Sequence, residues 1–305
     1  VMAKASEEKA GDKLAGIAAE TAEERVAAKV VLSHLTLNDL RNSPAVPYEE
    51  DEVTRIIQDA VNETIFNEFK NMTVAEFREW LLDERTTTEM IRHASRGLTS
   101  EIVAGVCKLM SNLDLIYAAK KMRVSAHCNT TIGLPGTFSS RLQPNHTTDD
   151  PKGIIASVME GLSLGCGDAV IGLNPVDDSL ESVARILKMF DEFKRKWEIP
   201  TQICVLAHVT TQTAAADKLG APLDLMFQSI AGSQKGNEAF GLTAEMLDEG
   251  RATMLSRGTC TGPNVMYFET GQGSELSSEA HNGWDQVTME ARCYGFAKRY
   301  QPFLV

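Results

Sequence analysis

Three segments of the chain place hydrogen-bonding side chains directly after an apolar run. They are Arg-Leu-Gln-Pro-Asn at 141–145, Ile-Gly-Leu-Asn-Pro at 171–175 and Tyr-Phe-Glu-Thr-Gly-Gln-Gly at 267–273. The side chains concerned are Arg141, Gln143, Asn174 and Glu269. Arginine and carboxylate groups form charge-assisted hydrogen bonds, and amides both donate and accept. Brought together, these groups could bind a small polar cation that carries a hydroxyl.

Taken singly, each of these residues also has a structural explanation. Gln143 and Asn174 both precede a proline, and Asn-Pro is a common turn dipeptide. Glu269 could pair with a neighbouring helix, and His208 is interpreted as a hydrogen-bonded structural histidine. The functional interpretation therefore depends on the whole set falling at the ends of successive strands.

The elements that must position these groups change in character near residue 123. Up to residue 122 the apolar spacing predicts helices, notably over 49–70, 72–82 and 99–122. From residue 130 onward, short apolar strands alternate with helices at least five times. The predicted strands lie around 169–174, 202–209, 225–230, 265–269 and 303–305, after a turn and strand-like segment at 130–143. We expect a helical region over 1–122 and parallel β/α units over 123–305.

A doubly wound sheet and a (β/α)8 barrel both fit this alternation. The carboxyl ends of the strands converge on one mouth in a barrel, whereas in an open sheet they meet only at the switch point. Polar residues follow several successive strands, which favours the barrel: Gln143, Asn174, His208, Ser229 and Glu269. Because a barrel needs about eight strands, we expect an incomplete (β/α)8 TIM-type barrel, truncated before its last strands.

The composition is typical of a soluble globular protein. The chain has 305 residues, 43% of them hydrophobic, and a formal net charge of -12. Such a surface repels nucleic acid and anionic membranes, and no apolar run is long enough for a transmembrane helix. Six widely spaced cysteines form no C-x-x-C pair. This favours reduced thiols, a cytoplasmic protein and no metal site.

At the segments quoted above, the chain resembles the large (heavy) subunit family of ethanolamine ammonia-lyase, an adenosylcobalamin-dependent radical enzyme. The resemblance covers essentially all residues and includes Gly-Asp-Ala-Val-Ile-Gly at 167–172 and Val-Leu-Ala-His-Val-Thr-Thr-Gln at 205–212. It implies a (β/α)8 barrel after a helical region, and a lyase that converts ethanolamine to acetaldehyde and ammonia. The cofactor carries the radical chemistry, and the protein binds, orients and shields.

The resemblance also implies roles for individual residues. Arg141 matches the residue near the substrate hydroxyl, Gln143 and Asn174 match substrate-binding amides, and Glu269 matches the carboxylate that holds the substrate ammonium. Arg141 and Glu269 are the expected catalytic pair.

By the same resemblance, three positions match contacts to the cofactor: Ser229, Glu269 and Gly271. The implied partners are ethanolamine, the small (light) subunit and further large subunits in a homo-oligomer. The implied location is a bacterial microcompartment in the cytoplasm. A thiol at the mouth would quench a radical, so Cys166, Cys204 and Cys260 are expected to face away from the substrate.

Two other function classes remain open at this point. A different barrel enzyme, such as an aldolase or a metal-dependent lyase, predicts a Schiff-base lysine or a metal cluster at the strand ends. Lys120 and Lys121 lie instead in a helical end. A scaffold or regulatory subunit predicts damaged mouth residues, whereas the four polar residues of the mouth are all present.

Overall fold

The computed structural model describes residues 1–271 and 280–305. The described chain divides into two compact units. The first, mainly helical, comprises residues 1–123, 230–241 and 270–299, and the second comprises residues 124–229, 242–269 and 300–305.

The helices of the described residues are mostly short. In chain order they are α1 Met2–Ala5, α2 Ala10–Leu14, α3 Ala22–His34, α4 Leu37–Arg41, α5 Glu52–Asp59, α6 Glu63–Phe69, α7 Val74–Leu82, α8 Thr88–Ala94, α9 Ser100–Lys108, α10 Asn112–Lys121, α11 Pro151–Ser163, α12 Leu180–Lys196, α13 Val209–Leu219, α14 Gln234–Ala239, α15 Ala244–Arg257 and α16 Gln286–Ala297. Short 3-10 turns occupy Tyr48–Glu50, Ser95–Gly97 and Lys298–Tyr300.

Side-chain caps divide two segments that the apolar spacing predicts as continuous helices. Asn62 caps the start of α6 within 49–70, and Ser111 forms a capping box with Asp114 at the start of α10 within 99–122. Each cap accepts a backbone N–H that has no partner inside its helix. The prediction of helix was confirmed in both segments, but the prediction of unbroken helices was wrong.

A buried ionic network crosses the first unit. The side chain of Arg292 is 0% exposed and donates to Glu101 at 2.6 Å, to Asp51 at 2.9 Å and to Thr54 at 2.8 Å. Its Nε also donates to the carbonyl oxygen of Gly232 at 2.7 Å. Arg292 on α16 therefore fixes α5, α9 and the loop that leads into α14.

The strands that carry the predicted site belong to the second unit, except for the last residue of each of the final two strands. They are β1 Ala126–His127, β2 Thr131–Ile132, β3 Arg141–Leu142, β4 Val170–Leu173, β5 Ile203–Val205, β6 Met226–Ile230 and β7 Met266–Thr270. β3, β4 and β5 pair in parallel. A hydrogen bond of 3.3 Å from Leu225 N to Ile203 O joins β5 to the start of β6. β6 pairs with β7, and a parallel bridge joins Tyr267 to Leu304.

The parallel strands thus follow one another in chain order, with helices in the connections. This confirms the mixed α/β class and the succession of a helical N-terminal region and later parallel strands. The described strands do not close on themselves, so a complete barrel is not formed by this part of the chain.

An antiparallel hairpin at the amino-terminal edge of the sheet was not predicted as such. β1 and β2 pair around 128–130. The side chain of Gln202, which is 0% exposed, accepts from the backbone N–H of Asn129 and of Thr130, both at 3.1 Å. The Asn264 side chain accepts from His127 N at 2.8 Å. These bonds hold the hairpin against the residues that precede β5 and β7.

Candidate functional site

One face of the sheet carries a buried apolar cluster, and we call this the inner face. Its sheet residues include Val170, Cys204, Leu225, Phe227, Tyr267 and Phe303. Side chains alternate along a strand, so residues two positions further on share the same face. Ser229 follows Phe227 in this way, and Glu269 follows Tyr267. Both therefore belong to the inner face at the carboxyl ends of their strands.

Arg141 is the centre of the site. Its Nη1 donates to the hydroxyl oxygen of Tyr267, and its Nη2 donates to Oε1 of Gln143. The guanidinium carbon lies 5.7 Å from the centroid of the Tyr267 ring, within cation–π range. Arg141 and Gln143 are half-buried. The Arg141 side chain thus joins β3 to β7.

The ring beneath Arg141 is held on several sides. Tyr267 is 3% exposed and packs edge-on against Phe227, with ring centroids 5.2 Å apart. Phe227 is fixed in turn by the buried side chain of Gln212. The Gln212 amide donates to Phe227 O at 2.8 Å and to Ala207 O at 2.7 Å, and it accepts from Phe227 N at 3.2 Å. Arg141 therefore lies on a rigid apolar base.

The donors left over at Arg141 and Gln143 define what this part of the site can bind. A guanidinium has five N–H donors, and the two bonds described leave three. The Gln143 oxygen already faces the guanidinium, so its amide N–H2 is the group left to point outward. This corner can bind an oxygen atom, and it disfavours a cation.

Asn174 is held by loops that follow β3 and β4. Its backbone N–H donates to Oδ1 of Asn145 at 2.9 Å. Close by, Oδ2 of Asp149 accepts from Val176 N at 2.8 Å and from Asp177 N at 3.0 Å. The Asn174 side chain itself is exposed and hydrogen-bonds to no described residue. Its backbone is fixed, and its amide is available.

Ser229 and Glu269 present open polar groups at the ends of β6 and β7. Ser229 is half-buried, and its carbonyl oxygen accepts from the Gln228 amide at 3.1 Å. The same Gln228 accepts from Val209 N at 2.8 Å, which ties β6 to the start of α13. Glu269 is exposed. Among the described residues, neither the Ser229 hydroxyl nor the Glu269 carboxylate has a hydrogen-bond partner.

Gly271 has a packing reason to be glycine. Its N–H donates to Ile230 O at 2.8 Å, and an added Cβ would lie 2.8 Å from the ring of Phe240. A cofactor contact at Gly271 stays a prediction. Gln272 and Gly273, which end the third segment, lie outside the described residues.

Of the predicted site residues, Arg141 and Gln143 are in direct contact. Asn174 follows β4, and Ser229 and Glu269 lie near the carboxyl ends of β6 and β7. None of the three forms a hydrogen bond with Arg141 among the described residues. His208 caps the start of α13, where its side chain accepts from Thr210 N and its Nδ1 lies 2.7 Å from Thr210 Oγ1.

The sequence interpretation missed Tyr267, although a signal was present. Tyr267 lies two residues before Glu269 in the same segment, so the two must share a face.

The prediction that Cys166, Cys204 and Cys260 face away from the substrate stays a prediction. Cys204 is a member of the inner-face cluster, and Cys260 packs against the same cluster. Cys204 is 0% exposed, and burial raises the pKa of its thiol. Its side chain therefore points inward, but it is shielded by its neighbours.

In residues 1–271 and 280–305, no group of three or more His, Cys, Asp or Glu residues could hold a metal ion. Over the same residues, every helix is too short or too polar to cross a membrane.

Comparison with known proteins places this chain in a family. A family profile described as ethanolamine ammonia lyase large subunit (EutB) matches residues 1–305. The ethanolamine ammonia-lyase large subunits of Escherichia coli K12 and Salmonella typhimurium LT2 are each 56% identical over 305 residues, covering 100% of this chain and 67% of each relative. The chain belongs to the ethanolamine ammonia-lyase large subunit family.

Proposed function

We propose that this chain is the catalytic part of an ethanolamine ammonia-lyase large subunit. The complete subunit would convert ethanolamine to acetaldehyde and ammonia with adenosylcobalamin. The observation that carries the proposal is the contact of Arg141 on β3 with Tyr267 on β7 and with Gln143, which follows β3. The open carboxylate of Glu269 lies on the same face.

The charges of the site fix the orientation of the substrate. The substrate hydroxyl oxygen binds to Arg141 and to the amide N–H2 of Gln143, and the ammonium binds to Glu269 and the Asn174 amide oxygen. In the reverse orientation the ammonium would lie beside the guanidinium. Two like charges about 4 Å apart repel by about 4 kcal/mol at the effective dielectric constant of a protein surface. That cost exceeds any gain from a neutral hydrogen bond.

Arg141 and Glu269 act at opposite ends of the substrate. Arg141 remains protonated and is not a base. It stabilises negative charge that develops on the hydroxyl oxygen, and such a preorganised donor contributes about 3 kcal/mol. Glu269 holds the ammonium through a charge-assisted hydrogen bond, which is about twice as strong as a neutral one.

The residues present fit the cofactor. The Ser229 hydroxyl, which has no hydrogen-bond partner within 1–271 and 280–305, can bond to the adenosyl group, and Glu269 can bond to it as well as to the substrate. Gly271 is a further proposed contact on the basis of the family. When bound, adenosylcobalamin supplies the radical that takes hydrogen from the hydroxyl-bearing carbon. The buried inner-face cluster excludes water below the reacting atoms.

We also propose that the parallel strands belong to a (β/α)8 barrel formed by residues 123–305 and further strands, after a helical region over 1–122. The sequential strand order supports it, because a doubly wound sheet reverses its order at a switch point. Family membership supports the remaining proposals: a small subunit, a homo-oligomer of large subunits, and a cytoplasmic microcompartment.

The experiment assembles the complete large subunit with its small subunit, adenosylcobalamin and ethanolamine. We expect acetaldehyde and ammonia, together with a paramagnetic cobalt signal. A folded, assembled protein that produces neither product nor signal would contradict the proposal.

A matched pair of variants tests the site. Glu269→Gln removes the charge that holds the ammonium, and we expect the KM for ethanolamine to rise at least roughly tenfold. Glu249→Gln makes the same change at an exposed position of α15, and we expect wild-type kinetics. Equal KM values for the two variants would show that Glu269 does not bind the substrate ammonium.

A further inference from the structure

Tyr267 is the one buried aromatic residue of the described site that contacts Arg141 in two ways. Its hydroxyl oxygen accepts from Nη1, and its ring lies under the guanidinium with 5.7 Å between the guanidinium carbon and the ring centroid. Tyr267 is 3% exposed, and its edge-on contact with Phe227 fixes the ring.

We propose that Tyr267 is a positioning residue that holds Arg141 in the orientation needed to donate to the substrate hydroxyl oxygen. This inference rests on the proposed function. Tyr267 does not touch the substrate. It acts by fixing the direction in which the remaining N–H donors of Arg141 point.

The comparison between the two anchors of Arg141 supports this role. Gln143 is half-buried and lies only two residues after Arg141, directly after β3, so it moves with the group that it would have to fix. Tyr267 comes from β7, and its backbone pairs with Leu304. An arginine has many accessible rotamers, and only an anchor on another rigid element selects one of them.

The competing explanation is that Tyr267 only fills the core and its hydroxyl bonds to the nearest polar group. The chain offers a matched control for this, Tyr300. It is 1% exposed, its hydroxyl donates to Ala244 O at 3.2 Å, and its ring packs edge-on against Phe268 with 5.6 Å between centroids. Tyr300 reproduces the burial, ring contact and hydroxyl bond of Tyr267 without Arg141.

The experiment compares Tyr267→Phe with Tyr300→Phe in the complete large subunit assembled with its small subunit and adenosylcobalamin. Tyr267→Phe keeps the ring and loses one bond to a charged group. We expect kcat to fall about tenfold and KM to change less than about threefold. The kcat effect dominates because Arg141 interacts more strongly with the transition state than with bound substrate. Tyr300→Phe should keep both constants.

A double-mutant cycle separates positioning from folding. In an Arg141→Lys background, adding Tyr267→Phe should lower kcat by less than about twofold, because the group to be positioned is gone. The same factor in both backgrounds would overturn the inference, as would a Tyr267→Phe enzyme within twofold of wild-type kcat. A wild-type assembly without turnover would instead refute the proposed function, so the two failures are distinguishable.

Discussion

Replacement of Arg292 by Met should destabilise the helical unit strongly. The change leaves the carboxylates of Asp51 and Glu101 without their cation, and their side chains are only 2% and 1% exposed. It also removes the donor to Gly232 O. Breaking a buried ion pair by removing one partner costs about 3–5 kcal/mol. Because one cation serves two carboxylates here, we expect a loss near 5 kcal/mol in the free energy of unfolding.

The assay is urea unfolding followed by circular dichroism, with the slope compared between variants. Arg85→Met is the matched control, since its side chain is 91% exposed and paired with Asp83. An exposed pair contributes about 0–1 kcal/mol. Adding Asp51→Asn and Glu101→Gln to Arg292→Met removes the two carboxylate charges that have lost their cation. The triple variant should recover part of the lost free energy of unfolding. A loss below about 1 kcal/mol for Arg292→Met would refute the reasoning.

Three further predictions use the same unfolding assay. Gln202→Leu leaves the half-buried N–H groups of Asn129 and Thr130 without their acceptor, so we expect a loss of about 3 kcal/mol. A loss under about 1 kcal/mol would contradict this prediction. Gly262→Ala places a Cβ 2.2 Å from the carbonyl oxygen of His127. It should lower the free energy of unfolding more than Gly220→Ala, where φ is +62, the surrounding space is open and the expected loss is about 1 kcal/mol. Equal losses for the two variants would argue against the close approach at Gly262. Burial raises the pKa of Asp12 in the folded state. The free energy of unfolding therefore falls as pH rises from the unfolded-state pKa, about 3.9, through the higher folded-state pKa, because the buried carboxyl resists ionisation. Asp12→Asn should therefore match wild type at low pH and exceed it near neutrality, and a difference that does not vary with pH would exclude this account.

The strand ends were predictable because the apolar runs are short and each is followed by polar residues. Ser229 and Glu269 lie at the ends of β6 and β7 as expected. The direction of Cys204 was not predictable. A strand buried on both faces is a continuous apolar run, so the sequence carries no alternation that tells inward from outward.

Other features depend on competition between local and distant interactions. Asn62 and Ser111 stop predicted helices because a local cap offers the backbone an alternative to continuation. The two-residue strands of the hairpin are too short to show a period. The Arg141–Tyr267 pair joins residues 126 positions apart, and no periodic pattern in a single sequence reports such a contact.

The most direct test of the central claim is a structure of the assembled enzyme with ethanolamine bound. We expect the substrate hydroxyl oxygen to lie within hydrogen-bond distance of Arg141 and of the Gln143 amide nitrogen, and the ammonium to contact Glu269. Ethanolamine bound away from these side chains, or bound with its ammonium toward Arg141, would contradict it.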